Sequence, residues 1–126
     1  MGVFMNKITE AELEIMKVLW ENKEATSLQI IDEVSKTTDW NKNTIKTLIS
    51  RLVEKEAISV DKNKGNLYLY TPNISIDEYK NEENKNFLKK LYNGSINDML
   101  LTFAKSNELT RKDLEELMKL IDSEEE

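Results

Sequence analysis

The strongest constraint on the fold is a change in the spacing of apolar residues near the middle of the chain. Apolar residues first recur at the spacing of one helical face, at positions 45, 48, 49, 52 and 53, and Asn41 can cap this helix. Residues 58–62 and 67–71 are instead rich in strand formers, and residues 63–66 between them have the composition of a turn. The sequence therefore predicts a helix followed by a β-hairpin, which Pro72 ends.

Two more helices are predicted ahead of this one. Thr9 and Glu12 have the spacing of a capping box before an apolar face, so the first helix is expected over residues 10–22. Ser27 is expected to cap a second helix that ends near Thr37. The inward side of this second helix is predicted to carry Leu28, Ile31 and Val34.

Three helices are predicted after the hairpin. The first is long and highly charged and ends near Tyr92, and the second is a short apolar helix over residues 95–105. Capping patterns mark the starts of the first and the last of them: Ser75 with Glu78, and Thr110 with Asp113.

The predicted fold is mainly α-helical with a small β-hairpin wing. Three helices and a hairpin, in this order, are typical of a winged helix-turn-helix, in which the third helix enters the major groove of DNA and the hairpin contacts the flanking backbone. We therefore expect a winged-helix domain over residues 1–73 and a helical dimerisation domain over residues 74–126. Architecture alone does not establish a function, so the side chains of the third helix must be considered.

The charge distribution is compatible with nucleic-acid binding although the net charge is −6. Residues 1–73 carry ten basic and eleven acidic side chains, whereas residues 74–126 carry eight basic and thirteen acidic ones. Between Trp40 and Lys55 four cations accompany a single acid, a local balance of +3. Only charges close to phosphates release counterions, so this local excess matters more than the total.

The polar side of the third helix and the tip of the hairpin provide the candidate DNA-binding residues. Thr44 and Thr47 can donate to phosphate or contact a thymine methyl group. Lys46 and Arg51 can reach phosphate or a guanine edge. The alternatives are a plain solvent-exposed helix face and an ordinary polar hairpin. The candidates are Asn43, Thr44, Lys46, Thr47, Ser50, Arg51, Lys62 and Lys64.

Catalysis is not expected from this composition. The chain has no histidine and no cysteine, which removes the usual general base, disulfides and the commonest metal ligands. Acidic pairs such as Glu82 and Glu83 are interpreted as solvated charge, so we predict no enzyme activity, no metal and no cofactor. No apolar run reaches the roughly 20 residues of a membrane span, and a cytoplasmic location is expected.

The C-terminal helices are expected to pair two copies of the chain. Each has only one apolar stripe and buries little alone, although packing back on the same chain is the alternative. A twofold dimer would place two recognition helices about one DNA turn, roughly 34–36 Å, apart. The expected dimer residues are Phe87, Leu88, Leu91, Leu100, Leu101, Phe103, Leu117 and Ile121.

Five short segments, in one order, point to a known family. They are ITEAE at 8–12, IMKVLW at 15–20, TIKTLISRL at 44–52, KNFLKKLYNG at 85–94 and LEEL at 114–117. Together they resemble the BlaI/MecI-type penicillinase repressors. The first two are similar to the N-terminal signature of that family, the third to its recognition helix and the fourth to its dimerisation region.

The resemblance implies a homodimeric repressor that binds the operator of β-lactamase or methicillin-resistance genes. It also implies induction by a membrane-bound, zinc-dependent sensor protease, which responds to β-lactam and cuts the repressor in its dimerisation domain. The matching bond is Thr102–Phe103, where the family usually has Asn before Phe. Lys46 and Asn43 stand where Arg and Lys are common in that family. A repressor of this family that answers another signal, and a winged-helix protein–protein module, are the alternative functions.

Overall fold

The computed structural model describes residues 7–65 and 67–125, without the side chains of residues 63, 64 and 125. Asn66, in the predicted hairpin turn, lies outside the described residues. The predicted order of three helices, a hairpin and three more helices is confirmed. The elements are α1 (Glu10–Asn22), β1 (Ala25–Thr26), α2 (Ser27–Ser35), α3 (Lys42–Glu54), β2 (Ile58–Lys64), β3 (Leu67–Pro72), α4 (Ile76–Tyr92), α5 (Ile96–Lys105) and α6 (Arg111–Glu125).

Both α1 and α3 begin as predicted. The Thr9 hydroxyl accepts a hydrogen bond from the backbone N–H of Glu12, and the Glu12 carboxylate accepts one from the N–H of Thr9. Asn41 caps α3, since its Oδ1 accepts the N–H of Thr44 at 2.9 Å. These caps satisfy donors that the first helical turn leaves without an intrahelical partner.

The start of α2 differs from the prediction. Thr26, not Ser27, is the N-cap, and it forms a capping box with Gln29. Thr26 also belongs to β1, so the strand ends where this helix begins. Leu28 lies about 200° around the helix from the buried Ile30 and is 62% exposed, so its predicted inward orientation is wrong. The covered side of α2 consists of the buried residues Ile30 and Val34 and the half-buried Ile31.

A small antiparallel sheet has the strand order β1-β3-β2. The hairpin of β2 and β3 agrees with the prediction, and Pro72 is its last residue. Gly65 in its turn has a φ of +69°, in the left-handed region that glycine tolerates. β1, which no alternating pattern marks in the sequence, adds two residues to the other edge of β3. Its pairs are Ala25 with Tyr70 and Thr26 with Leu69.

The described residues form two compact units that divide between Tyr79 and Lys80, inside α4. In the N-terminal unit, up to Tyr79, the first three helices turn their apolar sides toward one core. Trp20 lies at its edge, where its Nε1 donates to the Ile74 carbonyl at 2.9 Å and its ring lies 5.4 Å from that of Tyr79. The buried core includes Ile15, Met16, Leu19, Ile30, Val34, Ile45, Leu48, Ile49, Leu52 and Ile58.

One charged side chain lies within this core. Glu12 is 1% exposed, and it is the only charged residue that is buried in the part of the chain described. Lys55, the C-cap of α3, donates to Glu12 Oε1 at 2.5 Å. Burial alone would raise the pKa of Glu12, but the hydrogen bonds from Lys55 and the Thr9 N–H, with the Lys55 charge, outweigh burial and hold the pKa below its ordinary value. The pair thus links the start of α1 to the end of α3.

The C-terminal unit, from Lys80 onward, follows the predicted helix boundaries. Asn93 and Gly94, with φ of 50° and 86°, separate α4 from α5. Thr110 and Asp113 form the predicted cap before α6. Neither α4 nor α5 contains a buried residue. No helix within residues 7–65 and 67–125 is long and apolar enough to cross a membrane.

The Glu12–Lys55 pair makes the stability dependent on pH. Because the pKa of Glu12 is lowered by folding, its contribution is complete above the pKa of an unfolded glutamate, about 4.3, and is lost as the pH falls through the lower folded value. We expect Glu12→Gln to lower the free energy of unfolding by about 2 kcal/mol at neutral pH. This is less than breaking a fully buried pair costs, because Lys55 is 26% exposed and can turn to water. Urea unfolding at constant protein concentration measures the change.

At acidic pH, below about 4, the stability difference between the wild type and Glu12→Gln should shrink. Glu14→Gln is the control, since Glu14 pairs with Lys17 at 3.0 Å on the surface and its loss should cost less than about 1 kcal/mol. A stability difference that stays constant from neutral to acidic pH would contradict the pairing.

Candidate nucleic-acid interface

The polar side of α3 is the candidate interface. Its opposite side is anchored in the core by Ile45, Leu48, Ile49 and Leu52. At 100° per residue this anchoring turns the other positions of the helix toward solvent. All six candidates predicted on this helix are exposed: Asn43, Thr44, Lys46, Thr47, Ser50 and Arg51.

The hydroxyl group of Thr47 already makes a hydrogen bond within the helix. Its Oγ1 donates to the backbone carbonyl of Asn43 at 2.9 Å, one turn earlier. In this rotamer Thr47 offers a methyl group and oxygen lone pairs to a ligand, but no proton. Donation from Thr47 to phosphate, one of the two predicted roles, would therefore require that bond to break.

The exposed side of α3 is electropositive from its first turn. That turn contains no acidic residue, and Lys42 is exposed beside Asn43. The helix dipole adds partial positive charge at the same end. The sequence reasoning did not select Lys42, although its position directly after the cap was the available signal. With Lys46 and Arg51, three exposed cations follow one another along the helix.

The fourth cation of the segment, Lys55, does not add to this surface charge. Its Nζ donates to Glu12 and, at 2.8 Å, to the backbone carbonyl of Lys7. The local balance of +3 therefore overstates the charge available to a ligand. The sequence carried a signal that Glu12 is buried, because Glu12 lies three and four residues before Ile15 and Met16, on the apolar side of α1, but it did not identify Lys55 as the partner.

A cleft separates α3 from the hairpin and brings candidates from both elements together. Ser50 and Glu54 line it from the helix, and Lys62 and Tyr68 line it from the strands. The Lys62 ammonium lies 5.5 Å from the centroid of the Tyr68 ring, within the range of a cation–π contact. The side chain of Lys64 lies outside the described part of the chain.

The two tyrosines of the hairpin occupy different environments. Tyr70 packs against the core, and burial, with a smaller effect from Tyr68, raises the pKa of its phenol. Tyr68 is 48% exposed. The hairpin therefore has a covered part and an open part, and Lys62 and Tyr68 belong to the open part.

The predicted dimer residues lie on α4, α5 and α6 and leave apolar surface on the C-terminal unit poorly covered. The Tyr92 ring lies near two of them, 5.8 Å from the ring of Phe87 and 6.4 Å from that of Phe103. The half-buried members are Leu88, Leu100 and Phe103. The exposed members are Phe87, Leu91, Leu101, Leu117 and Ile121. The sequence reasoning did not include the exposed Ile96, Leu114, Met118 and Leu120 in this surface.

The Thr102–Phe103 bond lies inside α5. The Thr102 hydroxyl donates to the Asp98 carbonyl at 2.9 Å, and the Phe103 carbonyl accepts the N–H of Glu108 at 2.9 Å beyond the helix end. The bond therefore has helical geometry and hydrogen-bonded neighbours on both sides.

Comparison with known proteins finds relatives along almost the whole chain. The sequence profile of the penicillinase repressor family matches residues 8–123. A penicillinase repressor of Bacillus licheniformis is 36% identical over 116 residues, which cover 92% of this chain and 90% of that protein. A penicillinase repressor of Staphylococcus aureus is 38% identical over 115 residues, with coverage of 91% and 90%.

A solved structure is similar to part of the chain. It is the solution structure of the monomeric form of Bacillus licheniformis BlaI in complex with the blaP half-operator. The match covers 60% of this chain and 90% of that one, with a TM-score of 0.53 and 40% sequence identity.

Proposed function

The chain belongs to the penicillinase repressor family, and we propose on this basis that it is a homodimeric transcriptional repressor that binds a palindromic operator. The observation that carries the proposal is the exposed, electropositive side of α3, held outward by its buried apolar side. The similar BlaI structure, which is a complex with a half-operator, supports the same role for the N-terminal unit.

In this proposal α3 enters the major groove and the hairpin contacts the flanking backbone. Lys46 and Arg51 bind phosphate or a guanine edge, and Thr47 offers its methyl group to a thymine. Lys62, which lines the same cleft as Ser50, extends the contact to the neighbouring phosphates of the backbone. Specificity resides in the base contacts, while the cations supply affinity that depends on salt.

Operator binding is tested with DNA from upstream of the protein's own gene and a random duplex of equal length. We expect tighter binding to the upstream DNA at matched salt, and a loss of about tenfold in that affinity for Arg51→Ala, in the range of one bidentate base contact. Lys17→Ala on α1 is the control, because it also removes one exposed charge. Equal affinity of the wild type for both duplexes would favour the protein–protein module instead.

Dimerisation is proposed for the C-terminal unit because its apolar side chains lack cover within one chain. Leu91, Leu101, Met118 and Leu120 are between 51% and 62% exposed, and α4 and α5 bury no residue. Such a patch is costly in water, and a second copy would cover it at about 25 cal/mol for each Å² buried, before entropy costs.

Charged residues placed in this surface should separate the two copies. We expect the double variant Leu117→Glu and Ile121→Glu to sediment as a monomer at concentrations where the wild type is a dimer, because each carboxylate would be buried without a partner. Lys119→Gln, which lowers the charge of α6 without touching the apolar stripe, should remain dimeric. Sedimentation equilibrium distinguishes these outcomes, and a monomeric wild type would contradict the proposed assembly.

Relief of repression by cleavage at Thr102–Phe103 is the remaining part of the proposal, and it rests on the resemblance to the family. A protease acts on locally opened chain, so α5 must unwind before this bond can be cut. A helix of ten residues has little stability of its own, which makes such opening accessible.

Co-expression with the cognate membrane sensor protease and β-lactam tests the signal. We expect mass spectrometry to show two fragments that end at Thr102 and begin at Phe103, because the family is cut at the matching bond. Co-expression with the sensor protease but without β-lactam is the control. An intact repressor after induction would leave DNA binding in place and would favour a different signal.

A further inference from the structure

We propose that Glu12 and Lys55 form a clamp that positions α3 for operator recognition, with Lys55 acting through Glu12 and not through DNA phosphate. The inference rests on the proposed DNA-binding function of α3. It assigns a role to the one buried charged residue among those described, which the proposed DNA contacts do not use.

Two side-chain hydrogen bonds of Lys55 join the end of α3 to the region where α1 begins. Its Nζ donates to Glu12 Oε1 at 2.5 Å and to the Lys7 carbonyl at 2.8 Å. The same Glu12 oxygen accepts the Thr9 N–H at 2.9 Å, so the carboxylate is held in place from α1. The backbone N–H of Lys55 donates to the carbonyls of Arg51 and Val53. The side chain therefore connects the last turn of α3 to a fixed point on a neighbouring helix.

This location matters because Arg51 lies one turn before Lys55 on the same helix. A movement at the C-terminal end of α3 would shift Arg51 and Ser50 relative to the bases. Hydrogen bonds to base edges are lost within a few tenths of an ångström, whereas attraction to phosphate falls slowly with distance. Loosening the clamp should therefore reduce discrimination between sequences more than it reduces general DNA affinity.

The clamp makes a prediction that separates it from a phosphate contact. A cation that binds phosphate contributes about one unit to the slope of log affinity against log salt concentration. The charge of Lys55 is paired with a carboxylate that is 1% exposed, so its removal should leave that slope unchanged. Lys46, on the exposed side of the same helix, is the matched reference.

The test uses the full-length chain and measures affinity for operator and random duplex across a salt series. For Lys55→Met we expect operator affinity to fall about tenfold, random-duplex affinity to change less than about twofold, and the salt slope to match the wild type. For Lys46→Met we expect the slope of log affinity against log salt concentration to become less steep by about one unit. If the slope for Lys55→Met also became less steep by about one unit, the result would overturn the clamp and assign Lys55 to the DNA surface.

Glu12→Gln removes the other charge of the ion pair and keeps the shape of the side chain. It should reproduce the loss of sequence discrimination seen in Lys55→Met, and Lys55→Arg should retain discrimination because it preserves the ion pair. Glu14→Gln is the control for charge removal on α1. Binding is measured at a temperature below the thermal unfolding transition of every variant. The fluorescence of Trp20 and Trp40 reports that transition.

Unchanged discrimination in folded Glu12→Gln and Lys55→Met would overturn the clamp and leave the pair a purely structural contact. These outcomes concern the variants only. A wild type without operator preference would instead contradict the proposed function itself, so the two failures are distinguishable.

Discussion

The orientation of α3 in the candidate interface depends on the burial of one side of this helix. Ile45, Leu48, Ile49 and Leu52 are almost inaccessible to water, and each contributes about 1.5–3 kcal/mol when fully buried. Rotating the helix would expose these groups together, at a cost that the hydrogen bonds of its polar side, about 1 kcal/mol each, could not offset. The apolar side chains thus determine which polar side chains are presented, although they make no contact with a ligand.

Local patterns in the sequence were sufficient for much of the N-terminal unit. Capping residues and helical spacing predicted α1 and α3, and turn composition predicted the hairpin. The errors occur where distant residues decide the structure. The start of α2 depends on the pairing of β1 with β3, and Glu12 meets Lys55 across 43 positions of the chain, which no local pattern encodes. The roles assigned to the exposed residues of α3 stay predictions.

The two units differ in how their apolar residues are used. The first three helices bury theirs in a shared core, whereas α4 and α5 bury none. The helical spacing in the sequence is similar in both, so periodicity predicted the helices of both units, and the single apolar stripe of each C-terminal helix indicated that it buries little alone. A surface of this composition is consistent with a segment whose partner is another chain. The acidic excess of residues 74–126 would place like charges near each other in such an assembly, which salt would screen.

Thr26 belongs to two structures at once, as the last residue of β1 and the N-cap of α2. Since β1 pairs with β3 at Leu69 and Tyr70, the middle of β3 is hydrogen-bonded to the strand from which α2 begins. Bending of the hairpin is thereby confined to the part beyond this junction, which includes Lys62 and Tyr68. In the proposed complex, a duplex with a different groove width would have to change its own shape, or the short distal segment of the hairpin would have to bend, because the hairpin is held by β1 and cannot rotate freely as a whole.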